Sequence, residues 1–370
     1  MSRASRQTAI DSVHAEAYRV ATEQPEADGT LCWDATTIVV AHIRCGDIQG
    51  LGYSYTDASA AGLIRTMLAP LLRGEDAMAL PALWQRMVAA VRNIGRPGLA
   101  SCAIAAVDTA LWDLKARLLG QSLLRLLGAV REAVPVYGSG GFTNYEPSRL
   151  SAQVRDWQAA GIARFKIKVG SDPAADAGRV AALRQAIGDK PELMVDANGA
   201  YTRKQALALA WRFADSQVSW FEEPVSSDDL EGLRLLRDRA PPGMEIAAGE
   251  YGYDLVYFRR MLAAGAVDVL QADITRCGGL SELLRIAALC QAHGLPLSTH
   301  TAPALHLHAC CALPGLRHLE YFHDHVRLER MLFDGVQQPR RGLLYPDLER
   351  HGHGLSLNRE RAAEFLVKAA

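Results

Sequence analysis

A parallel barrel of the (β/α)7β type, TIM-like in architecture and fronted by an α+β N-terminal cap, is the fold this sequence predicts. Three observations predict it. From about residue 134 onward, short apolar runs alternate with helical stretches, eight runs in all. From the second run their starts lie between twenty and thirty residues apart, the length of a strand, a loop and a crossover helix. Before residue 134 the pattern is that of a small α+β unit, and a chain of 370 residues has room for both.

The elements follow in order. The first nineteen residues, MSRASRQTAIDSVHAEAYR, contain no apolar h-region, so no secretory leader is expected. Residues 22–34 (TEQPEADGTLCWD) are polar and acidic, and read as a loop. Residues 35–45 (ATTIVVAHIRC) are β-branched and strand-like, and 47–52 turn into a second short strand. Helical spacing covers 60–72, 80–91 and 100–119, the last rich in Ala and Leu and ended by Gly120 and Gly128. The eight runs are 134–138, 165–169, 193–196, 220–222, 245–250, 267–273, 296–300 and 318–322. An open doubly wound sheet would place a nucleotide fingerprint after the first run. YGSGGF at 137–142 does not fit G-x-G-x-x-G.

Composition narrows the function. Forty basic residues against 41 acidic ones give a net charge of −1, so no excess exists to neutralise a nucleic-acid backbone. Residues 294–316 lack any charged residue, but their prolines and histidines argue against a membrane span. Seven scattered cysteines without a CxxC point to free thiols in a reducing cytoplasm.

Barrel enzymes carry their chemistry at the C-terminal ends of the strands. Here Asp196, Glu222 and Glu250 end three successive runs, in VDAN, FEEP and AGE. Three carboxylates converging on one region repel unless a cation lies between them. An all-oxygen donor set favours Mg²⁺ over Zn²⁺. Lys166 and Lys168, two of only six lysines, alternate with Phe165, Ile167 and Val169 and so share the interior face of their strand. Two ammonium groups that close are expected to depress each other's pKa. Asp273 and His300 end adjacent runs, where a carboxylate would fix the histidine's tautomer, and Glu320 lies inside the last run. A divalent ion and a lysine can together stabilise an enediolate, while a base on either face removes or returns the proton α to a carboxylate.

These motifs together resemble the mandelate racemase branch of the enolase superfamily, and the resemblance spans nearly the whole chain. It implies a cap over 1–130, a (β/α)7β barrel over 131–340, and a C-terminal segment, about 340–370, returning to the cap. It implies that Lys168 is an acid/base and that Lys166 contacts the substrate carboxylate. It further implies Asp196, Glu222 and Glu250 as Mg²⁺ ligands and Asp273–His300 as a dyad. Glu320 would hydrogen-bond the substrate carboxylate, with Asn198 and Glu223 in support. Muconate cycloisomerase-like relatives place a second catalytic lysine on the sixth strand, and this chain has no lysine between Lys204 and Lys368. The resemblance makes dehydration of an acid sugar to a 2-keto-3-deoxy acid the first expectation, and a racemase or epimerase of a 2-hydroxy acid the second. It also implies a homo-oligomer acting on a small carboxylic acid.

Other signals are discounted. HLHACC (306–311) matches no zinc spacing and reads as packing on the helix after the seventh strand. His323-Asp324-His325 reads as a solvated loop, and Trp33, Trp84, Trp112 and Trp211 as core or cap residues. A zinc hydrolase would want His-x-His on the first strand. A non-catalytic barrel should show damaged site positions, and none is damaged.

Overall fold

The computed structural model describes residues 8–368. The chain opens with three antiparallel strands, β1 (Ser12–Ala27), β2 (Cys32–Cys45) and β3 (Ile48–Tyr55). The segment 22–34, expected as a loop, is instead mostly strand. β1 runs to Ala27 and pairs Glu26 with Trp33 and Ala27 with Cys32, past an irregularity in register between Ala21 and Glu26. Only the four residues between the strands form a turn, in which Asp28 Oδ1 accepts from the amides of Thr30 and Leu31 at 2.6 and 2.8 Å. The helix Leu99–Leu118 lies against β3 so closely that a Cβ on Gly52 would stand 2.3 Å from the carbonyl oxygen of Ala106. Helices Leu80–Ala90 and 59–72, the latter with a π turn at Ile64–Leu68, complete a separate apolar core.

Eight parallel strands follow: β4 (Val134–Gly140), β5 (Arg164–Lys168), β6 (Glu192–Asp196), β7 (Val218–Glu222), β8 (Glu245–Ala248), β9 (Val269–Ala272), β10 (Leu297–Thr299) and β11 (Leu319–Phe322). Their order is sequential from β4 to β10, with β11 on the other side of β4. Between β10 and β11 pairing shrinks to one parallel bridge, Leu297 to Leu316, and the bond from Arg317 N to Leu297 O at 2.8 Å. That contact closes the sheet into a barrel with helices outside. Tyr137, Met194, Trp220, Ala247 and Val269 fill the interior as an apolar plug, so functional groups can stand only above it.

After the barrel, Leu343–Leu344 pairs antiparallel with β4. The chain then reaches the cap. His353 N donates to Asp113 Oδ1 at 2.9 Å, Arg117 donates to the Leu355 carbonyl at 2.8 Å, and Val367 N donates to the Ala17 carbonyl at 2.8 Å. HLHACC packs as expected, in the buried helix Pro303–Ala312. His306 Nε2 accepts from the Ile274 amide and His308 Nδ1 from the Leu124 amide, so both rings cap backbone groups. Among the described residues no helix is long and apolar enough to cross a membrane.

Candidate active site

Strand register builds the floor of the site. Lys168 stands opposite Asp196 on β5–β6, and Asp196 opposite Glu222 on β6–β7. Residues in one row of a parallel ladder face the same way, so all three point inward. Glu250 follows β8, and Asp196, Glu222 and Glu250 each bring a carboxylate oxygen within 4.8 Å of the others. All three are buried. Glu222 is braced from below by Trp220 Nε1 and Gln271 Nε2, each donating to Oε2 at 2.9 Å.

The lysines differ from the sequence-based expectation. Lys166 Nζ lies 2.5 Å from Glu222 Oε1 and 2.8 Å from Glu320 Oε1, and Lys168 Nζ lies 2.5 Å from Asp196 Oδ2. Burial pulls both pKa values down, but Glu222 and Glu320 on Lys166, and Asp196 on Lys168, outweigh it and hold both above the ordinary lysine value. Mutual depression is therefore not what governs them, because the neighbouring strands supply opposite charge at hydrogen-bond distance.

The aspartate–histidine pair forms as expected. His300 Nδ1 lies 2.8 Å from Asp273 Oδ2, and Asp273 Oδ1 accepts from Thr275 N and Oγ1 at 2.7 Å each. Burial would raise the Asp273 pKa, yet His300 and then Arg276 hold it below the usual carboxylate range. With Nδ1 committed to Asp273, Nε2 of His300 faces the cavity, 3.3 Å from Glu250 Oε2. Glu320 Oε2 accepts from the Thr301 amide at 2.7 Å. Left-handed backbone at Asn198, Glu223, Thr301 and Ala302 (φ 46, 37, 49 and 42°) turns the chain sharply just past Asp196, Glu222 and His300.

A cavity of about 430 Å³ lies above these groups, between barrel and cap. Lys168, Glu250, His300 and Asn198 reach it. The Asn198 amide also donates to Asp196 Oδ1 at 2.9 Å. Glu223 faces a neighbouring cavity with Ser226, Ser227 and Tyr257 instead. Burial, reinforced by Glu250 and Asp196, raises its pKa.

Several lining residues escape a reading of strand ends. Arg276 extends over the site, with Nη1 3.3 Å from Glu250 Oε1 and its guanidinium 5.0 Å from the centre of the Tyr251 ring. One wall is aromatic, made by Trp33, Tyr55, Phe322 and His325; Trp33, on β2, is a cap residue as expected and also lines the cavity. The run at 323–325 is likewise no solvated loop. It begins the helix His323–Leu332 and forms the seam with the cap. His323 faces Glu23, Asp324 accepts from Thr36, and the His325 ring stacks on Tyr55 with centroids 3.4 Å apart.

The β1–β2 hairpin covers the cavity. Its tip is fastened by Thr143 N to the Ala27 carbonyl at 2.8 Å and Asn144 Nδ2 to the Pro25 carbonyl at 2.7 Å. Gly29 rests on the strand ends: a Cβ there would meet Ala197 O at 2.6 Å, Val169 O at 2.7 Å and Ala200 Cβ at 2.8 Å. Gly29→Ala should therefore lift the tip and raise KM about ten-fold, with overall stability little changed. Steady-state kinetics beside a thermal melt checks this. Gln271→Ala should weaken Mg²⁺ binding roughly 10- to 100-fold by freeing Glu222 to rotate, as calorimetric titration would show.

Comparison with known proteins agrees with this geometry. Residues 15–128 match the mandelate racemase/muconate lactonizing enzyme N-terminal domain, and residues 149–362 match the enolase C-terminal domain-like family. A solved mandelate racemase/muconate lactonizing enzyme-like protein from Rubrobacter xylanophilus is 53% identical, with a TM-score of 0.95 over 97% of this chain and 100% of that one. L-talarate/galactarate dehydratase of Salmonella typhimurium is 34% identical over 87% of this chain and 81% of its own length. Its crystal structure with Mg and L-lyxarohydroxamate superimposes with a TM-score of 0.89, at 30% identity, over 100% of this chain and 96% of that one. The 3,6-anhydro-alpha-L-galactonate cycloisomerase of Streptomyces coelicolor is 33% identical over 97% of this chain and 99% of that enzyme. On these matches the chain belongs to the mandelate racemase branch of the enolase superfamily.

Proposed function

We propose that the protein removes the proton α to the carboxylate of an acid sugar in a Mg²⁺-dependent reaction, and dehydrates the resulting enediolate to a 2-keto-3-deoxy acid. The observation that carries this reading is that Glu250, Lys168 and His300 line one cavity, with Asp196 and Glu222 bringing oxygens within 4.8 Å of Glu250 and Asp273 bonded to His300 from behind. The donor set fits a hard divalent ion: it is all oxygen, and Glu250 Oε2, though 3.3 Å from His300 Nε2, is buried with no hydrogen bond among the described residues. Asp196, Glu222 and Glu250 would hold Mg²⁺, which when bound offsets their charge and stabilises negative charge growing on a substrate carboxylate.

The protein's own groups do the rest. Lys166, fixed between Glu222 and Glu320 just beneath the cavity lining, would meet the substrate carboxylate, and Glu320, which also accepts from the Thr301 amide, holds that lysine in place. Lys168 and His300 stand at the ends of β5 and β10, three strands apart around the ring, and so approach the α-carbon from different faces. Lys168 Nζ, neutral once a cation on Asp196 offsets the charge that holds its proton, would take the α-proton. His300 Nε2, oriented by Asp273, protonates the β-hydroxyl, which leaves as water, and the enol becomes the ketone. Asn198 supports Asp196 through its backbone amide, and Glu223, facing the neighbouring cavity, stands outside the reaction. The division into a cap over 1–130 and 340–370 and a barrel over 131–340 belongs to this reading, as does a cytoplasmic homo-oligomer. The seven free thiols support the compartment.

A second reading, racemisation or epimerisation of a 2-hydroxy acid, is favoured by the same two acid/base groups. The likeness to a cycloisomerase also supports an isomerase outcome. The test is a screen of mono- and dicarboxylic sugar acids with Mg²⁺ in D₂O, followed by NMR. A keto acid product supports the dehydratase. Deuterium at the α-carbon without dehydration replaces it with the isomerase, and no change in any acid overturns both.

A further inference from the structure

The charges around the cavity are unevenly placed. Among the described lining residues only Lys168 and Arg276 are fixed cations, and both belong to the barrel floor. Each is already compensated there. Lys168 lies on Asp196, and Arg276 lies between Glu250 and Asp273, with Nε 3.6 Å from Asp273 Oδ2. Among the described residues that line the cap end there is no cation. That end presents Asp28 and Asp57, and neither carboxylate joins an ion pair among the described residues. Asp57 is held ionised by the Ser59 hydroxyl and amide, which donate at 2.6 and 2.9 Å and lower its pKa. The third cap-side acid, Asp324, is spent on Thr36 and Arg327.

What remains at that end is neutral. Thr36, Thr37 and Thr56 offer hydroxyls, and Trp33 and Tyr55 offer aromatic faces. His325 is neutral too, because burial pushes its pKa down, and its Nδ1 accepts from the Ala302 amide at 3.4 Å. Hydroxyls and acid oxygens of the protein pair well with sugar hydroxyls, and aromatic faces with sugar C–H groups. A second carboxylate placed there would lose its water and face two like charges with no partner.

We infer that this cavity selects monocarboxylic acid sugars, whose far end is an uncharged hydroxymethyl or hydroxyl group, over dicarboxylic ones. The inference rests on the acid-sugar reading and names the substrate class within it. The test pairs each aldonate with the aldarate of the same configuration. Lys168→Ala protein with Mg²⁺, whose turnover should be at least about 100-fold slower, is titrated calorimetrically with both members, and the wild type is assayed for kcat/KM on the same pairs. The aldonate of the preferred pair should bind on the order of 100-fold more tightly and show the higher kcat/KM. Leu31→Arg, which puts a cation at the hairpin tip from an exposed position, should narrow that gap about ten-fold. Tighter or equal binding of the aldarate overturns the inference whichever reaction the enzyme runs. Binding of neither member of any pair overturns the acid-sugar reading itself.

Discussion

Lys168→Ala and His300→Asn should each lower kcat by about 10²- to 10⁴-fold while Mg²⁺ affinity stays within about three-fold of the wild type. Neither side chain is one of the three converging carboxylates, so removing it takes away a proton carrier and leaves the ion's oxygens in place. The two variants also separate the roles. In D₂O, His300→Asn should still exchange the α-proton through Lys168 without losing the hydroxyl, and Lys168→Ala should do neither. Exchange retained in Lys168→Ala and lost in His300→Asn would reverse the assignment. Loss of Mg²⁺ binding in both would show that the division between metal and proton chemistry is wrong.

Glu250→Gln should weaken Mg²⁺ binding by about 100-fold or more, measured by titration of the metal-stripped protein. The substitution keeps the shape of the side chain and removes one of three charges that meet within 4.8 Å. The neutral amide still reaches Arg276, whose Nη1 also holds the Glu250 backbone carbonyl at 3.2 Å, so the loop after β8 should keep its path. Circular dichroism and the melting temperature should therefore move little. Unchanged affinity would exclude Glu250 as a ligand and leave Asp196 and Glu222 to be tested in the same way.

The barrel was legible because each of its strands is a short apolar run bounded by helical spacing, a pattern visible without any partner. The triad was legible for a related reason: successive strands end on carboxylates, and parallel register keeps ends together. The first strand was not legible. β1 carries His14, Glu16, Arg19 and Glu23 and ends near Pro25, so polarity and a proline hide a sixteen-residue strand whose support comes from pairing with β2. Arg276 goes unread in the sequence, and the 323–325 run reads as a solvated loop, because the significance of both is spatial. An arginine three residues past Asp273 looks like any loop cation until Tyr251 and Glu250 are placed beside it. The lysine pair was seen but its electrostatics were misjudged. Spacing along one strand shows which ammonium groups are neighbours, not which carboxylates face them from the next strand.

The cavity joins two walls of separate origin. The groups that would move protons, Lys168 and His300, sit on barrel strands, braced from below by the plug and by Gln271. The surfaces that would meet the rest of a substrate, Trp33, Thr36, Tyr55 and Asp57, sit on cap strands β2 and β3 and just past β3, more than 240 residues before His300. Mutation can therefore rewrite which molecule is accepted without touching how its proton is removed. A gene coding for this arrangement can acquire a new diet through a few changes between residues 28 and 57, and inherit the reaction intact.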